Sequence, residues 1–228
     1  RDVLGSRGLG DVYKRQEFDS FEAALQADVP VSIRINEKKG TPAPSTTGAP
    51  CERVAWCETG YYLPERLSFT FDPLFHAGAY YVQEASSMFL EQAIRSHVKT
   101  PVRCLDLCAA PGGKSTHLAA CLPEGSLLVS NEVIRSRSHI LAENIAKWGN
   151  PNCIVTNNDP KEIGCLTHFF DVIVADVPCS GEGMFHKEPS MTESWLRMGP
   201  EEYHKLQMEI LTYGAKTVSY THLRAHET

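Results

Sequence analysis

From about residue 102 onward, apolar and polar positions fall into alternating blocks. Short apolar runs at 102–107, 126–131, 153–156 and 170–175 read as buried strands. Between them, residues from about 113 to 122, 134 to 148 and 160 to 167 have helical spacing. In the second of these helices Ile134, Leu141, Ile145 and Trp148 share one face, as a helix covering a sheet requires. Strand and helix alternating at this spacing predict an α/β fold, a doubly wound parallel sheet of Rossmann-like type. A last helix from Pro200 to about Lys216 turns Tyr203, Leu206, Ile210 and Leu211 toward the core. The sheet is expected to continue after it.

The first third of the chain has a different texture. Residues 17–27 fit an amphipathic helix with Phe18, Phe21 and Leu25 on its apolar side. VSIRIN at 31–36 alternates like a half-buried strand, and 38–50 is a loop with three prolines and two glycines. Short strand-like pieces follow at 54–56 and 61–63, then an aromatic segment, then a helix from Glu84 to about His97. The organisation expected is a small α+β region over 17–83 and an α/β domain over 84–217. Residues 1–16 and 218–228 carry no sustained period and resemble peptides read through at the ends of translated metagenomic reads. Both are expected to be artefactual tails, which leaves the α/β domain cut short.

Charge changes the picture of what such a domain would grip. The net charge is −6 and, without the two tails, 17 basic face 25 acidic residues, a net of −8. Affinity for a polyanion grows with the phosphates neutralised, so tight autonomous binding of nucleic acid is not expected. The eight cysteines include no C-x-x-C pair and read as buried, reduced thiols without a metal. With no run of 18 apolar residues and no signal-peptide pattern, the chain is expected to be soluble, cytoplasmic and monomeric.

The densest chemistry lies at 104–116, CLDLCAAPGGKST. A strand carrying Asp106 breaks at Pro111-Gly112-Gly113 and opens a helix through Lys114. A glycine pair there lets backbone approach a ligand, and the helix N-terminus offers unpaired N–H groups. A P-loop would need glycine five residues before Gly113, where Cys108 stands, and the dinucleotide fingerprint is absent. The turn suits a cofactor lacking phosphates. Glu132 ends the second strand, where a carboxylate can accept hydrogen bonds from both ribose hydroxyls. Asp159, after the third strand, is placed to receive an adenine amino group, although a helix N-cap before Pro160 would use the same residue.

A second run, FFDVIVADVPCSGEGMF at 169–185, brings Asp176, Pro178 and Cys179 to the end of the fourth strand. Carbon 5 of cytosine is too weak a nucleophile to attack a methyl sulfonium directly. A thiolate adding at C6 makes C5 enamine-like; after methylation a base removes the C5 proton and the thiol leaves. An acid must hydrogen-bond the N3/4-amino edge while charge builds up. A cysteine beside an aspartate at a strand end, facing the cofactor across a Gly-rich loop, meets these needs. The two runs together point to an S-adenosyl-L-methionine-dependent methyltransferase acting on a base. Tyr80 and Tyr81 are candidates for stacking bases, though packing between the two regions would also employ them. Arg34, Arg135 and Arg137 are candidates for phosphate contact, and Lys187 and Trp195 for shaping the cleft.

The runs LDLCAAPGGKSTHLA, NEVIRSRSHILAENIAKWG and DVIVADVPCSGEGMFHKEP closely resemble the Nop/Sun family of RNA cytosine-C5 methyltransferases, particularly its bacterial ribosomal RNA members. HAGAYYVQEASSM and VSIRIN resemble the family's pre-motif region and N-terminal strand. The resemblance implies a cofactor site built from Cys108, Ala109, Ala110, Pro111, Gly112, Gly113 and Lys114 with Glu132, Asp159 and Asp176, and an RNA substrate. In the family the covalent nucleophile is usually a second cysteine, in a Ser-Thr-Cys run on the strand after the last helix here, while the cysteine matching Cys179 assists product release. This chain has no cysteine after Cys179, so the resemblance implies a fragment without its nucleophile. Two alternatives stand beside this reading: a DNA or tRNA cytosine-C5 enzyme that attacks with Cys179, and a non-catalytic cofactor- or RNA-binding module.

Overall fold

The computed structural model describes residues 30–40, 51–181 and 190–219, together with positions 20 and 23. The helix expected over 17–27, Lys187 and the segments 1–16 and 220–228 lie outside the described residues.

Two sheets organise the chain. The first is antiparallel, with strand order β2-β3-β1-β4, from β1 (Ser32–Ile35), β2 (Glu52–Arg53), β3 (Gly60–Tyr62) and β4 (Tyr80–Val82). A short helix α1 (Pro73–His76) precedes β4, started by the Asp72 side chain accepting from Leu74 N at 2.9 Å. Residues 54–56 form a turn rather than a strand, because Cys57 N bonds back to Val54 O and the chain reverses into β3.

The second sheet is wholly parallel, order β7-β6-β5-β8, from β5 (Arg103–Asp106), β6 (Leu127–Asn131), β7 (Cys153–Thr156) and β8 (Val172–Val174). Its helices are α2 (Leu90–His97), α3 (Gly113–Cys121), α4 (Arg135–Trp148), α5 (Pro160–Ile163) and α6 (Ser190–Lys216). Alternation along the strands sends side chains to both faces. Cys104 and Leu128 pack under Ile94, Leu118 and Trp148 of α2, α3 and α4, whereas Leu105 and Val129 pack against Ile163 and Ile210 of α5 and α6. The sheet is doubly wound. The chain runs outward through β5, β6 and β7 and then returns to the other side of β5 as β8, so the strand order reverses between β5 and β8. Ligands of open α/β sheets bind at the carboxyl ends beside such a reversal.

Further elements differ from their sequence reading, among them the helix expected from Glu84, which is a 3-10 turn over Ser86–Phe89 before α2. α6 starts ten residues before Pro200 and is broken at Gly199 (φ 68°, ψ 165°), with the expected segment as its second half. α5 stops at Ile163 because Gly164, a poor helix former, sits against the Tyr213 ring of α6. β1 is buried along its whole length rather than on one face. One side joins the first sheet's core, while Arg34 on the other packs against α3 and Trp148. At the end of that strand Asn36 Nδ2 donates to Trp148 O (2.8 Å) and Gly78 O (3.0 Å). Gly78 itself lies so close to α4 that a Cβ there would meet Lys147 O at 2.1 Å. The first sheet is therefore bolted to α3 and α4, which lead away from the reversal point. After α6, Val218 bridges to Phe170 in parallel, on the flank of β8 away from β5.

Candidate functional site

The loop from Cys108 to Lys114 leaves the end of β5 and is held by its own backbone groups. Ala109 N donates to Asn131 O (2.8 Å), and Ala110 O and Pro111 O accept from Arg137 Nη2 and Asn144 Nδ2 (2.8 Å each). Gly112 sits at φ +113°, where a side chain would be strained, and a Cβ there would press on Leu141 at 3.2 Å. From Gly113 the chain enters α3. Its first turn is fastened from below by Arg34, which is fully buried. Arg34 donates to Thr116 Oγ1 (2.6 Å), Gly113 O (3.3 Å), Thr116 O (3.4 Å) and Gln83 Oε1 (2.9 Å), with its guanidinium 4.4 Å from the centre of the Trp148 ring. Burial lowers its pKa to about 10, so it stays charged at neutral pH. Arg34 is a strut under the loop, not a phosphate ligand.

Acids ring the carboxyl ends of the strands. Glu132 is buried; its Oε1 accepts from Ile134 N (2.9 Å), and its Oε2 lies 3.7 Å from Arg137 Nη1. Arg137 thus ties Glu132 to the loop, which explains its place better than a phosphate contact does. Asn131 laces the three strand ends together: its amide accepts from Thr156 Oγ1 and Asn158 N and donates to Asn158 O. Asp159 is the N-cap of α5, in a full capping box with Glu162. That cap accounts for its Oδ1.

Asp176, exposed just past β8, pairs with Lys114 Nζ at 2.5 Å. Cys179 is exposed three residues further on, in a loop anchored by Gln207 Nε2 donating to Pro178 O (2.9 Å). The two motif runs thus meet across the strand-order reversal. Cys108 is half-buried beside them. Burial, reinforced by Asp106, Glu132 and Asp176, pushes its thiol up to about 12. No disulfide joins any of the eight cysteines. Tyr80 packs in the first sheet's core against Phe69 and Phe75, whereas Tyr81 packs against the α2–α3–α4 cluster and so serves packing between the regions. Trp195 lies half-buried on α6.

Asp106 was visible in the sequence as the strand acid, but its state was not. It is fully buried, with Ser115 Oγ donating to Oδ2 (2.6 Å) and Oδ1 without a hydrogen-bond partner among the described residues. Burial raises its pKa to about 6. The folded chain therefore holds more protons than the unfolded chain between pH 3.8 and about 6. Stability falls as pH rises through that window, and the penalty is complete above it. Asp106→Asn is expected to raise stability at pH 7.5 by about 1–2 kcal/mol, after allowing for its unpartnered amide nitrogen. Urea unfolding across pH 4–8 checks this: the gain should shrink and turn into a small loss at the acid end, where only the cost of the unpartnered amide remains.

A carboxylate kept ionised at such expense, beneath a glycine turn, fits a site for a cationic ligand group. The glycine turn, and Glu132 at the carboxyl end of β6, fit the nucleoside part of S-adenosyl-L-methionine.

Comparison with known proteins agrees with this geometry. The family described as 16S rRNA methyltransferase RsmB/F matches residues 97–222, and the N-terminal domain of 16S rRNA methyltransferase RsmF matches 9–85. Ribosomal RNA small subunit methyltransferase F of Escherichia coli O157:H7 is 34% identical over 206 residues, covering 85% of this chain and 43% of its own length. The protein of that name from Escherichia fergusonii gives the same figures. The chain thus spans less than half the length of these curated relatives. Among solved structures, PH0851 superposes with a TM-score of 0.76 at 23% identity, over 93% of this chain and 49% of its own. NSun6 from Pyrococcus horikoshii with SFG gives 0.71 at 15%, over 93% and 79%, a likeness of fold. Among the described residues no helix is long and apolar enough to cross a membrane.

Proposed function

The chain belongs to the 16S rRNA methyltransferase RsmB/F family, and from that premise we propose that it binds S-adenosyl-L-methionine and serves methylation of cytosine C5 in small-subunit ribosomal RNA, in the cytoplasm. The observation that carries the proposal is the Lys114–Asp176 contact, which joins the cofactor loop to the substrate loop at the strand-order reversal. The residues fit the cofactor: the backbone of Cys108 to Lys114 and Glu132 would hold its nucleoside, with Asp159 at the adenine edge, and Asp106 would face its positive charge. When bound, the cofactor supplies an electrophilic methyl group. Asp176 accepts from the cytosine 4-amino group, and Lys114 fixes the direction of that carboxylate by holding the other side of it. Cys179, exposed three residues along the same loop, would serve release of the product.

The chain's net charge of −6 suits it poorly to gripping RNA unaided. The substrate therefore supplies its affinity through shape and the flipped base, or through the remaining length that the relatives possess. Isothermal titration of S-adenosylhomocysteine into the chain tests the cofactor half of the proposal. Saturable binding is expected, weakened about 10–100-fold by Glu132→Ala, which removes a charge-assisted acceptor worth about 1.5–3 kcal/mol. A folded chain that takes up no ligand, or a Glu132→Ala variant that binds equally well, refutes it.

A further inference from the structure

On the side of the molecule where the first sheet meets the second domain, three buried side chains from three separate elements converge. Cys57 comes from the turn between β2 and β3, Glu91 from the first turn of α2 and His117 from the middle of α3; none is more than 2% exposed. Their ligand atoms all lie within 4.8 Å of one another. His117 Nε2 is 3.2 Å from Glu91 Oε2 and 3.8 Å from Cys57 Sγ. With bonds of about 2.0–2.1 Å to nitrogen and oxygen and about 2.3 Å to sulfur, a tetrahedral zinc ion separates an N and an O ligand by about 3.3 Å and an N and an S ligand by about 3.6 Å. The observed edges are close to these.

We propose that Cys57, Glu91 and His117 form a zinc site that clamps the N-terminal sheet to the methyltransferase domain. A thiolate, an imidazole and a carboxylate suit this ion. The sequence alone read the cysteines as metal-free thiols, because the three ligands are spread over 61 residues in no recognisable spacing. Without the ion, His117 Nε2 donates its proton to Glu91 Oε2 at 3.2 Å, and His117 Nδ1 is buried without a hydrogen-bond partner among the described residues. Binding moves the imidazole proton to Nδ1 and turns the Nε2 lone pair toward the ion. The Cys57 thiol releases its proton to solvent as its sulfur bonds the ion, so two positive charges enter, one leaves, and the cluster goes from one net negative charge to neutral.

The test is titration of the chelator-stripped chain with Co²⁺ and then Zn²⁺. One equivalent of Co²⁺ should give tetrahedral ligand-field bands with thiolate charge transfer, displaced by one equivalent of Zn²⁺. Cys57→Ser and His117→Gln should each weaken binding by about 100-fold, while Cys165→Ser, on the exposed surface, should change nothing. X-ray absorption on the zinc-loaded unmutated chain needs no variant: one sulfur neighbour beside nitrogen and oxygen neighbours is expected. A folded chain with no saturable Co²⁺ bands, bands indifferent to Cys57→Ser and His117→Gln, or an absorption shell without sulfur would each overturn the proposal.

Discussion

Arg34→Met is expected to remove about 3–5 kcal/mol of folding stability and, in whatever fraction stays folded, to weaken S-adenosylhomocysteine binding more than tenfold. Methionine keeps much of the volume of the buried stem and loses the fork. Thr116 O, Gly113 O and Gln83 Oε1 then each lose a donor in a place water does not reach, and the Trp148 ring loses the cation 4.4 Å from its centre. One unsatisfied buried acceptor costs about 1–3 kcal/mol, so the sum is a large fraction of the 5–15 kcal/mol that ordinary domains possess. The affinity loss has a separate origin. Gly113 and Thr116 form the first turn of α3, and Arg34 is what joins that turn to β1. Arg34→Lys keeps the charge but reaches only part of the acceptor set, and should recover less than half of both losses. Urea unfolding and calorimetric titration measure the two separately; stability lost at unchanged affinity would make Arg34 a fastening only, with no part in shaping the loop.

That role marks where the sequence stops being legible. The parallel sheet, its helices and the loop at 108–114 were readable because each follows from a local period or from a turn that only glycine and proline make easily. Glu132 and Asp176 were readable because they end strands, and strand ends in such a sheet share one edge. Arg34, Arg137 and His117 were not. An arginine in an alternating strand looks the same whether it faces water or a helix 80 residues away, and only the docking of the first sheet onto α3 and α4 decides. The half-buried reading of β1 failed for the same reason: period-two alternation reports one apolar face, and Arg34 supplies a polar residue that is nevertheless enclosed. Tyr80 and Tyr81 likewise turned out to be packing, since aromatic residues serve cores and nucleobases equally well. Asp159 shows a residue type that fits two tasks at one place; the capping box with Glu162 accounts for one of its oxygens.

The chain as given is expected to bind cofactor and yet transfer no methyl group, with incorporation into a 16S rRNA transcript at least about 10³-fold below that of the same protein extended to the length of its relatives. Addition to cytosine C6 requires a thiolate. Among the described residues at the site, Cys108 and Cys179 offer a thiol. With its thiol pushed up to about 12 by burial and by three neighbouring acids, Cys108 stays protonated at neutral pH. Moreover, its surroundings would oppose the negative charge of an attacking sulfur. Cys179 is exposed, three residues after Asp176, but in the family that this chain resembles the corresponding cysteine ejects the product after another has attacked. No cysteine follows it here. The measurement is transfer of labelled methyl groups, with Cys108→Ala and Cys179→Ala run alongside. Incorporation that vanishes in Cys179→Ala would make Cys179 the nucleophile and move the chain toward the DNA-type mechanism. Incorporation that survives in Cys179→Ala and vanishes in Cys108→Ala would mean that a bound substrate or cofactor reverses the electrostatics that now hold Cys108 neutral. Cofactor binding without transfer in all three chains separates the two halves of the site: a complete pocket for the methyl donor, and an attacking thiol that this length of chain does not provide.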